Sequence, residues 1–394
     1  MIGGLPKFTV VTPSLNQVGY IEETIRSVID QEGAFKVEYF IMDGGSCDGS
    51  VDVIRKYADA VNGGRYPIRC SEVKIRWASE KDSGQSNAIN RGLRQATGEF
   101  ASYINSDDLY VPGAFGKVAN AFAADPKADF IYGDGDVIDE SGGRQWEWLS
   151  RPYNHRVMTT YHFLWNDFTN YIMQQATFWR TRVHSRLGFF DEAFHFAMDV
   201  EYWVRAGHAG LVLRHLPEKL GKFRMIQGTK STSGPTAFWS DSLEIFRRYR
   251  GISDLHIYLA YYYFNLAKHN GWDLPQAKTE ADRSLRRWDA LAPAEYMATR
   301  RSTAKAYAIA CFLIANQLQK QGQRSLATSF LWEGIKRDPS VVIRPAAIYP
   351  LLKQVVGSAA GARLDRCADW LISSYRRRRF DYRYVQLQRT GGSR

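Results

Sequence analysis

Four stretches of this chain end an apolar, strand-like run with groups suited to a charged ligand. They are Pro13-Ser14-Leu15-Asn16, Asp43-Gly44-Gly45-Ser46, Ser79-Glu80-Lys81-Asp82 and Asn105-Ser106-Asp107-Asp108. Three of the four carry carboxylates. Carboxylates gathered on one rim repel each other unless a cation or hydrogen-bond donors neutralise them. Hard oxygen ligands of this kind suit Mg²⁺ or Mn²⁺. Gly44 and Gly45 allow backbone to approach a ligand closely, or simply form a tight turn. An Asp-Asp pair after a strand is also a turn signal, and Asp48, just before a helical pattern, reads as an N-cap.

The elements that must carry these residues alternate. Phe8 to Thr12, Val37 to Met42, Val73 to Trp77, Phe100 to Ile104 and Phe130 to Tyr132 are short apolar runs of strand type. Helical spacing separates them: Ile21, Ile25, Val28 and Ile29, then Ser50 to Tyr57, then a helix capped by Ser83 and running to about Ala96. Repeated βα units imply a mostly parallel twisted sheet with helices on both faces. Ligands of such sheets bind beyond the C-terminal strand ends, where the four stretches lie. Gly228 to Pro235 is a polar, flexible stretch, and helical patterns follow it: Phe238 to Arg250, Asp254 to His269, Leu274 to Leu291, Ala294 to Gln321 and Gln323 to Lys336. The expected division is therefore a catalytic α/β domain over 1–235 and an all-α domain over 236–394. Ala304 to Pro339, with Gly322 at its turn, looks like one tetratricopeptide-like pair without a second clear copy.

Composition narrows the function classes. The eight histidines show no HxxxH or HExxH spacing, and there is no GxxxxGK[ST] loop and no GxGxxG after the first strand. Zinc hydrolysis, phosphate-loop nucleotide hydrolysis and dinucleotide redox chemistry are disfavoured. Four scattered cysteines, Cys47, Cys70, Cys311 and Cys367, read as reduced thiols. The N-terminus lacks a signal-peptide pattern, and no run reaches the roughly 18 apolar residues of a membrane span. A cytoplasmic enzyme is expected, with peripheral membrane contact a candidate role for the net charge of +11 and the Arg376–Arg379 run. No nucleic-acid recognition motif accompanies that charge.

The motifs together resemble family 2 glycosyltransferases of GT-A fold, a Rossmann-like mixed sheet. The resemblance rests on FTVVTPSLNQ (8–17), YFIMDGGSCDGS (39–50), SEKDSGQSNAINRGLRQATGE (79–99), YINSDD (103–108) and FFDEAFHFAMDVEYWVRAG (189–207). It implies an inverting transfer from a UDP-, dTDP- or GDP-linked sugar to a hydroxyl of a saccharide or lipid-linked acceptor, in bacterial cell-surface polysaccharide synthesis. Asp107 and Asp108 resemble the site holding Mg²⁺ or Mn²⁺ against the donor diphosphate. Pro13, Ser14, Asn16, Asp43, Gly44, Asp82, Ser106 and Asp107 fall where the family holds the nucleotide-sugar. Asp199 falls where the family bears its base, with Glu201 as fallback. Gln174, Gln175 and Trp179 fall on the acceptor side, where Trp146, Trp148, Trp165 and Tyr153 could also stack on sugar. Lys222, Arg224 and Lys230 are candidate point charges for the diphosphate. The chain departs from the family at Asn105, where Asp is frequent, at Met198, where Glu is frequent, and at Ile226-Gln227, where some relatives have a histidine. These departures motivate a rival reading, an inactive nucleotide-sugar-binding scaffold. The helical domain is a candidate surface for homo-oligomers, acceptor or membrane.

Overall fold

The computed structural model describes residues 4–159, 171–230, 235–250, 255–284 and 293–340. The chain separates into two compact units, Met1–Tyr249 and Arg250–Arg394. The first unit thus extends past residue 235, because the helix Pro235–Arg250 packs on it.

The first unit opens with β1 (Lys7–Ser14), α1 (Ile21–Ile29), β2 (Gly33–Asp43), α2 (Ser50–Asn62), β3 (Cys70–Ser79), α3 (Gln85–Leu93) and β4 (Phe100–Tyr103). β5 (Leu109–Tyr110), α4 (Ala114–Ala124), β6 (Phe130–Ile138), β7 (Arg144–Trp148) and α5 (His155–Met158) follow. Then come β8 (Thr177–Arg180), α6 (His184–Leu187), α7 (Met198–His208), β9 (Leu213–Arg224) and α8 (Pro235–Arg250). One sheet runs β3-β2-β1-β4-β8-β6-β9-β5, with β7 on β6. β3, β2, β1 and β4 are parallel, as the βα repeats require. β8 enters antiparallel between β4 and β6, so the sheet is mixed.

Side-chain alternation along β1 divides the core. Phe8 and Val10 join α1, α2 and α4 on one face, while Val11 joins α3 and α7 on the other. The parallel register sets Ser14, Asp43 and Ser79 in one row at the C-terminal edge. α3 begins at Gln85 behind Gly84, whose φ of 127° suits glycine, rather than behind Ser83. It ends at Leu93, short of Ala96. α3 lies close on the sheet because Gly92 has no side chain. A Cβ there would sit 2.6 Å and 2.8 Å from the two Val11 methyls.

The described part of the second unit is helical: α9 (Leu255–His269), α10 (Leu274–Ser284), α11 (Pro293–Lys320) and α12 (Arg324–Arg337). α11 and α12 form the expected pair, turning at Gly322 with φ 78°. Gly334 of α12 lies on α11, its Cβ position 2.9 Å from Phe312 and 3.1 Å from Cys311. A further helical pair, α9 and α10, turns at Gly271 and Trp272, both at positive φ. α9 packs on both α10 and α11. Cys47, Cys70 and Cys311 are free thiols, while Cys367, Arg376–Arg379 and Trp165 lie outside the described residues. No described helix is long and apolar enough to cross a membrane.

Gly92→Ala should destabilise the first unit by about 1–3 kcal/mol, since buried β-branched Val11 cannot yield to an added methyl. Urea unfolding reads this as a lowered midpoint at unchanged slope, whereas an unchanged or raised midpoint contradicts the close approach.

Candidate active site

The residues from Asn105 to Asp108 form a turn at the end of β4, the Asp108 amide donating to the Asn105 carbonyl at 3.2 Å. Asp108 points inward and is 1% exposed. Its carboxylate accepts from Gln175 Nε2 at 2.7 Å, Asn105 Nδ2 at 3.0 Å and the Arg224 amide at 2.8 Å. Burial pushes its carboxyl well above the usual range, the Asp107 charge adds to this, and the three donors oppose it. Asp107 is half-buried and has no hydrogen-bond partner outside its own residue among the described residues. Burial raises its carboxyl too, against the Arg224 charge. Two neighbouring desolvated carboxylates favour a cation, and the free one is Asp107. Among the described residues no three His, Cys, Asp or Glu side chains gather into a metal cage. One free carboxylate suits Mg²⁺ or Mn²⁺, which take their remaining ligands from substrate phosphates and water.

Asn105, the departure from the family pattern, has a physical reason. Its Nδ2 donates to Asp108 while its Oδ1 accepts from Gln85 Nε2 at 2.6 Å. An aspartate cannot donate to Asp108 and would add a third carboxylate. Gln85 Oε1 in turn accepts from Lys230 Nζ at 3.2 Å, so a polar chain runs from Lys230 to the buried aspartate. Arg224 takes a different place from the one expected. It is 2% exposed and spends its N–H groups on the Asp107 and Glu140 carbonyls and the Glu23 carboxylate, so it fixes the turn rather than presenting a free charge. Lys222 lies opposite Leu109 on β9. Gln174 and Gln175 also differ from expectation: their amides serve the Tyr103 carbonyl at 2.7 Å and Asp108, not an acceptor face. Trp179 is fully buried among Phe130, Tyr202 and Trp203.

The loops after β1, β2 and β3 form the adjoining wall. Asp43 is fully buried and accepts from the Gly45 and Ser46 amides and from the Ser46 and Ser79 hydroxyls. Burial would raise its carboxyl, but the donors outweigh burial and hold it below the usual range. Its work in this state is to shape the Gly44–Ser46 turn. Gly45 takes φ 89°, and a Cβ on Gly44 would lie 3.0 Å from Asp82 Oδ2, so Asp82 stands against that turn. Pro13 is the penultimate residue of β1, and the buried hydroxyl of Ser14, which ends the strand, has no partner among the described residues. Asn16, at φ 51°, donates its backbone amide to the Ser46 hydroxyl oxygen and accepts from the Cys47 amide on Oδ1. Asp48 receives the Ser50 amide and hydroxyl and the Val18 amide, while Gly49 is the helix N-cap. Ser106 is buried inside the β4 turn.

Asp199 stands in the first turn of α7, half-buried, with Oδ1 accepting from the Val200 amide at 2.8 Å. Desolvation pushes its carboxyl up to about 6, against the amide contacts. Tyr103 is raised by its own burial and then by the charges of both Asp199 and Asp108, which places the two carboxylates on the same rim around the end of β4. Glu201 is 1% exposed, paired with Arg205 at 2.9 Å and bonded by the Tyr249 hydroxyl. It braces helices and is not open to substrate. Met198 is buried against the Ser86 hydroxyl. Lys230 donates to the His195 carbonyl at 3.1 Å; burial depresses its ammonium, and Asp241 and Asp82 counter this. Sequence reasoning missed Gln85 and Asp241, because amide and carboxylate positions inside helices carry no motif.

Residues 9–187 match the family described as Glycosyl transferase family 2. An uncharacterized glycosyltransferase of Mycobacterium tuberculosis is 26% identical over 202 residues, 51% of this chain and 69% of the relative. The PGL/p-HBAD biosynthesis glycosyltransferase of the same species is 25% identical over 230 residues, 58% of this chain and 80% of the relative. Among solved structures, S. aureus TarS 1–349 in complex with UDP-GlcNAc shares 18% identity at a TM-score of 0.54, covering 80% of this chain and 92% of that one. The likeness to TarS shows the GT-A type fold. The chain is a glycosyltransferase, and over residues 9–187 it is similar to family 2.

Asn105→Asp should cost about 1–3 kcal/mol, the scale of an unmade buried hydrogen bond. The loss should be larger at pH 8 than at pH 5, because a carboxyl raised by burial opposes folding once the pH exceeds its unfolded value. Urea unfolding at both pH values checks this, and a pH-independent loss contradicts the assignment.

Proposed function

We propose that this glycosyltransferase moves a sugar from a UDP-, dTDP- or GDP-linked donor to a hydroxyl of a saccharide or lipid-linked acceptor, with inversion at the anomeric carbon. The observation that carries the reading is the contrast on one rim: Asp108 is consumed by internal donors, Asp107 is free, and Asp199 is a desolvated carboxylate at about 6. The family's place in bacterial surface glycans, and the name of the mycobacterial relative, favour an acceptor of that class. A cytoplasmic site of action at the inner face of the membrane belongs to the same proposal.

The nucleotide would bind at the C-terminal edge marked by the row Ser14–Asp43–Ser79, against the Gly44–Ser46 turn that Asp43 shapes. Asp82, which stands against the Gly44 turn, faces the donor from that wall. Asp107 would hold Mg²⁺ or Mn²⁺, and the bound cation would neutralise the charge that builds on the leaving diphosphate. Lys230, a half-desolvated ammonium beside Gln85, adds a second positive charge to that end of the donor. The acceptor oxygen attacks the anomeric carbon from the opposite side as the bond to the diphosphate oxygen breaks. Its proton passes to the Asp199 carboxylate, which is ionised above pH about 6 and close enough to neutrality to act as a base. An α-linked donor then gives a β-linked product. The inactive-scaffold reading loses support, since Asn105 fits its network without loss of Asp107 or Asp199.

A thermal-shift screen of UDP-glucose, UDP-N-acetylglucosamine, dTDP-rhamnose and GDP-mannose with Mn²⁺ should single out the donor by mass-action stabilisation. With that donor, Asp199→Asn should lower turnover by about 10²–10⁴, the range of general base catalysis. Glu201→Gln should stay within a few-fold. Wild-type kcat/KM should rise with pH through about 6 and then level. Undiminished turnover by Asp199→Asn removes the base assignment.

A further inference from the structure

The segment that delivers Asp199 is held by a helix beyond the family motifs. Asp241 of α8 is 3% exposed, and its Oδ2 accepts from the Phe196 amide at 2.8 Å and the Ala197 amide at 3.1 Å. Ala197 is the N-cap residue of α7 and offers no side-chain cap of its own. The backbone donors entering a helix need acceptors. Here one carboxylate from another helix supplies them, two residues before Asp199.

α8 repeats this grip along one face. Arg248 pairs with Asp191 at 2.6 Å, and the Tyr249 hydroxyl bonds to Glu201. Between them Ile245 is buried in the same core cluster as Phe194, Ala197 and Val200. Positions 241, 245, 248 and 249 fall on one stripe of a 3.6-residue helix. Their partners at 191, 196–197 and 201 bracket Asp199 on both sides. Phe238 adds a ring contact to Phe196 at 5.3 Å. The Lys230 contact to the His195 carbonyl reaches the same segment from the loop before α8.

We propose that Asp241 is a positioning residue for Asp199: its carboxylate fixes the Phe196–Ala197 backbone and so sets where the first turn of α7 presents the base to the acceptor hydroxyl. The inference rests on Asp199 being the base. Asp241 touches no reacting atom. Its effect falls on turnover, where an offset of about 1 Å in a catalytic group can cost about a hundredfold, and not on nucleotide binding.

The test uses the full chain with Asp241→Ala and Asp241→Asn. Both remove the charge near Lys230, but only Asn keeps an acceptor for the two amides, so their difference reads the amide bonds. Asp241→Ala should lower turnover tenfold or more on the donor chosen from the same four nucleotide-sugars, with UDP and GDP affinity within twofold by calorimetry. Asp241→Asn should recover most of that loss. Hydrogen exchange should speed up at the amides of residues 196–201 in Asp241→Ala, at least tenfold more than in Asp241→Asn. Equal turnover and equal exchange in the two variants overturn the proposal. So does a loss of turnover, nucleotide affinity and melting temperature in step, which marks a stability role only. Asp199→Asn run alongside separates the two levels. If it is inactive while Asp241→Ala turns over normally, this inference alone falls. If it is active, or the wild type turns over none of the four donors, the base assignment falls and this inference with it.

Discussion

A fully buried carboxylate, Asp108, organises the catalytic edge of this molecule. A carboxyl taken from water must be met by hydrogen-bond partners, and here they come from three separate places, although burial still holds it well above the usual range. Gln175 arrives from the turn before β8, Asn105 from the β4 turn, and the Arg224 amide from the end of β9. Meeting that one group closes the sheet around its ligand edge. It also sorts the aspartate pair: because Asp108 faces inward, Asp107 faces out with its oxygens uncommitted. Arg224 completes the arrangement through the Asp107 carbonyl and Glu23, holding the turn by its backbone while leaving the Asp107 carboxylate free.

The same economy recurs at the proposed base, Asp199. Glu201 and Asp241 are buried carboxylates whose partners are helix dipoles, arginine and tyrosine, and each pins part of the segment that carries Asp199. Asp199 alone in that set keeps a half-exposed side chain and a raised carboxyl. Desolvation without a strong partner keeps a carboxylate basic, whereas Asp43, surrounded by hydroxyls and amides, is held acidic. Two aspartates of the same unit thus diverge in basicity through their neighbours.

Much of this was legible in the sequence because it depends on local pattern. The parallel strands, their order of βα units and the placing of Asp43, Asp82 and Asp107 after strand ends follow from periodicity and from glycine positions such as Gly44 and Gly45. The antiparallel entry of β8 was not legible, since a four-residue strand carries no directional signal. Nor were the roles of Asp108 and Arg224, which look like ligands in a motif yet are consumed by partners up to 201 residues away. The helix Pro235–Arg250 was assigned to the helical domain from its composition, and only the contacts of Asp241, Arg248 and Tyr249 return it to the catalytic unit. The helices Leu255–His269 and Leu274–Ser284 were legible from their periodicity, whereas the positive φ of Trp272 at their turn was not, since it falls on a residue without the freedom of glycine.

Asp107 is the carboxylate of the aspartate pair left free among the described residues, and its proposed role is to bind a cation together with the donor diphosphate. Electron paramagnetic resonance titration of Mn²⁺ with and without UDP, on wild type, Asp107→Asn and Asp108→Asn, tests it most directly. The account predicts tight Mn²⁺ binding by the wild type only with UDP, loss of that UDP-linked binding in a normally stable Asp107→Asn, and a marked fall in melting temperature for Asp108→Asn. A stable Asp108→Asn that loses Mn²⁺ while Asp107→Asn retains it would contradict the account.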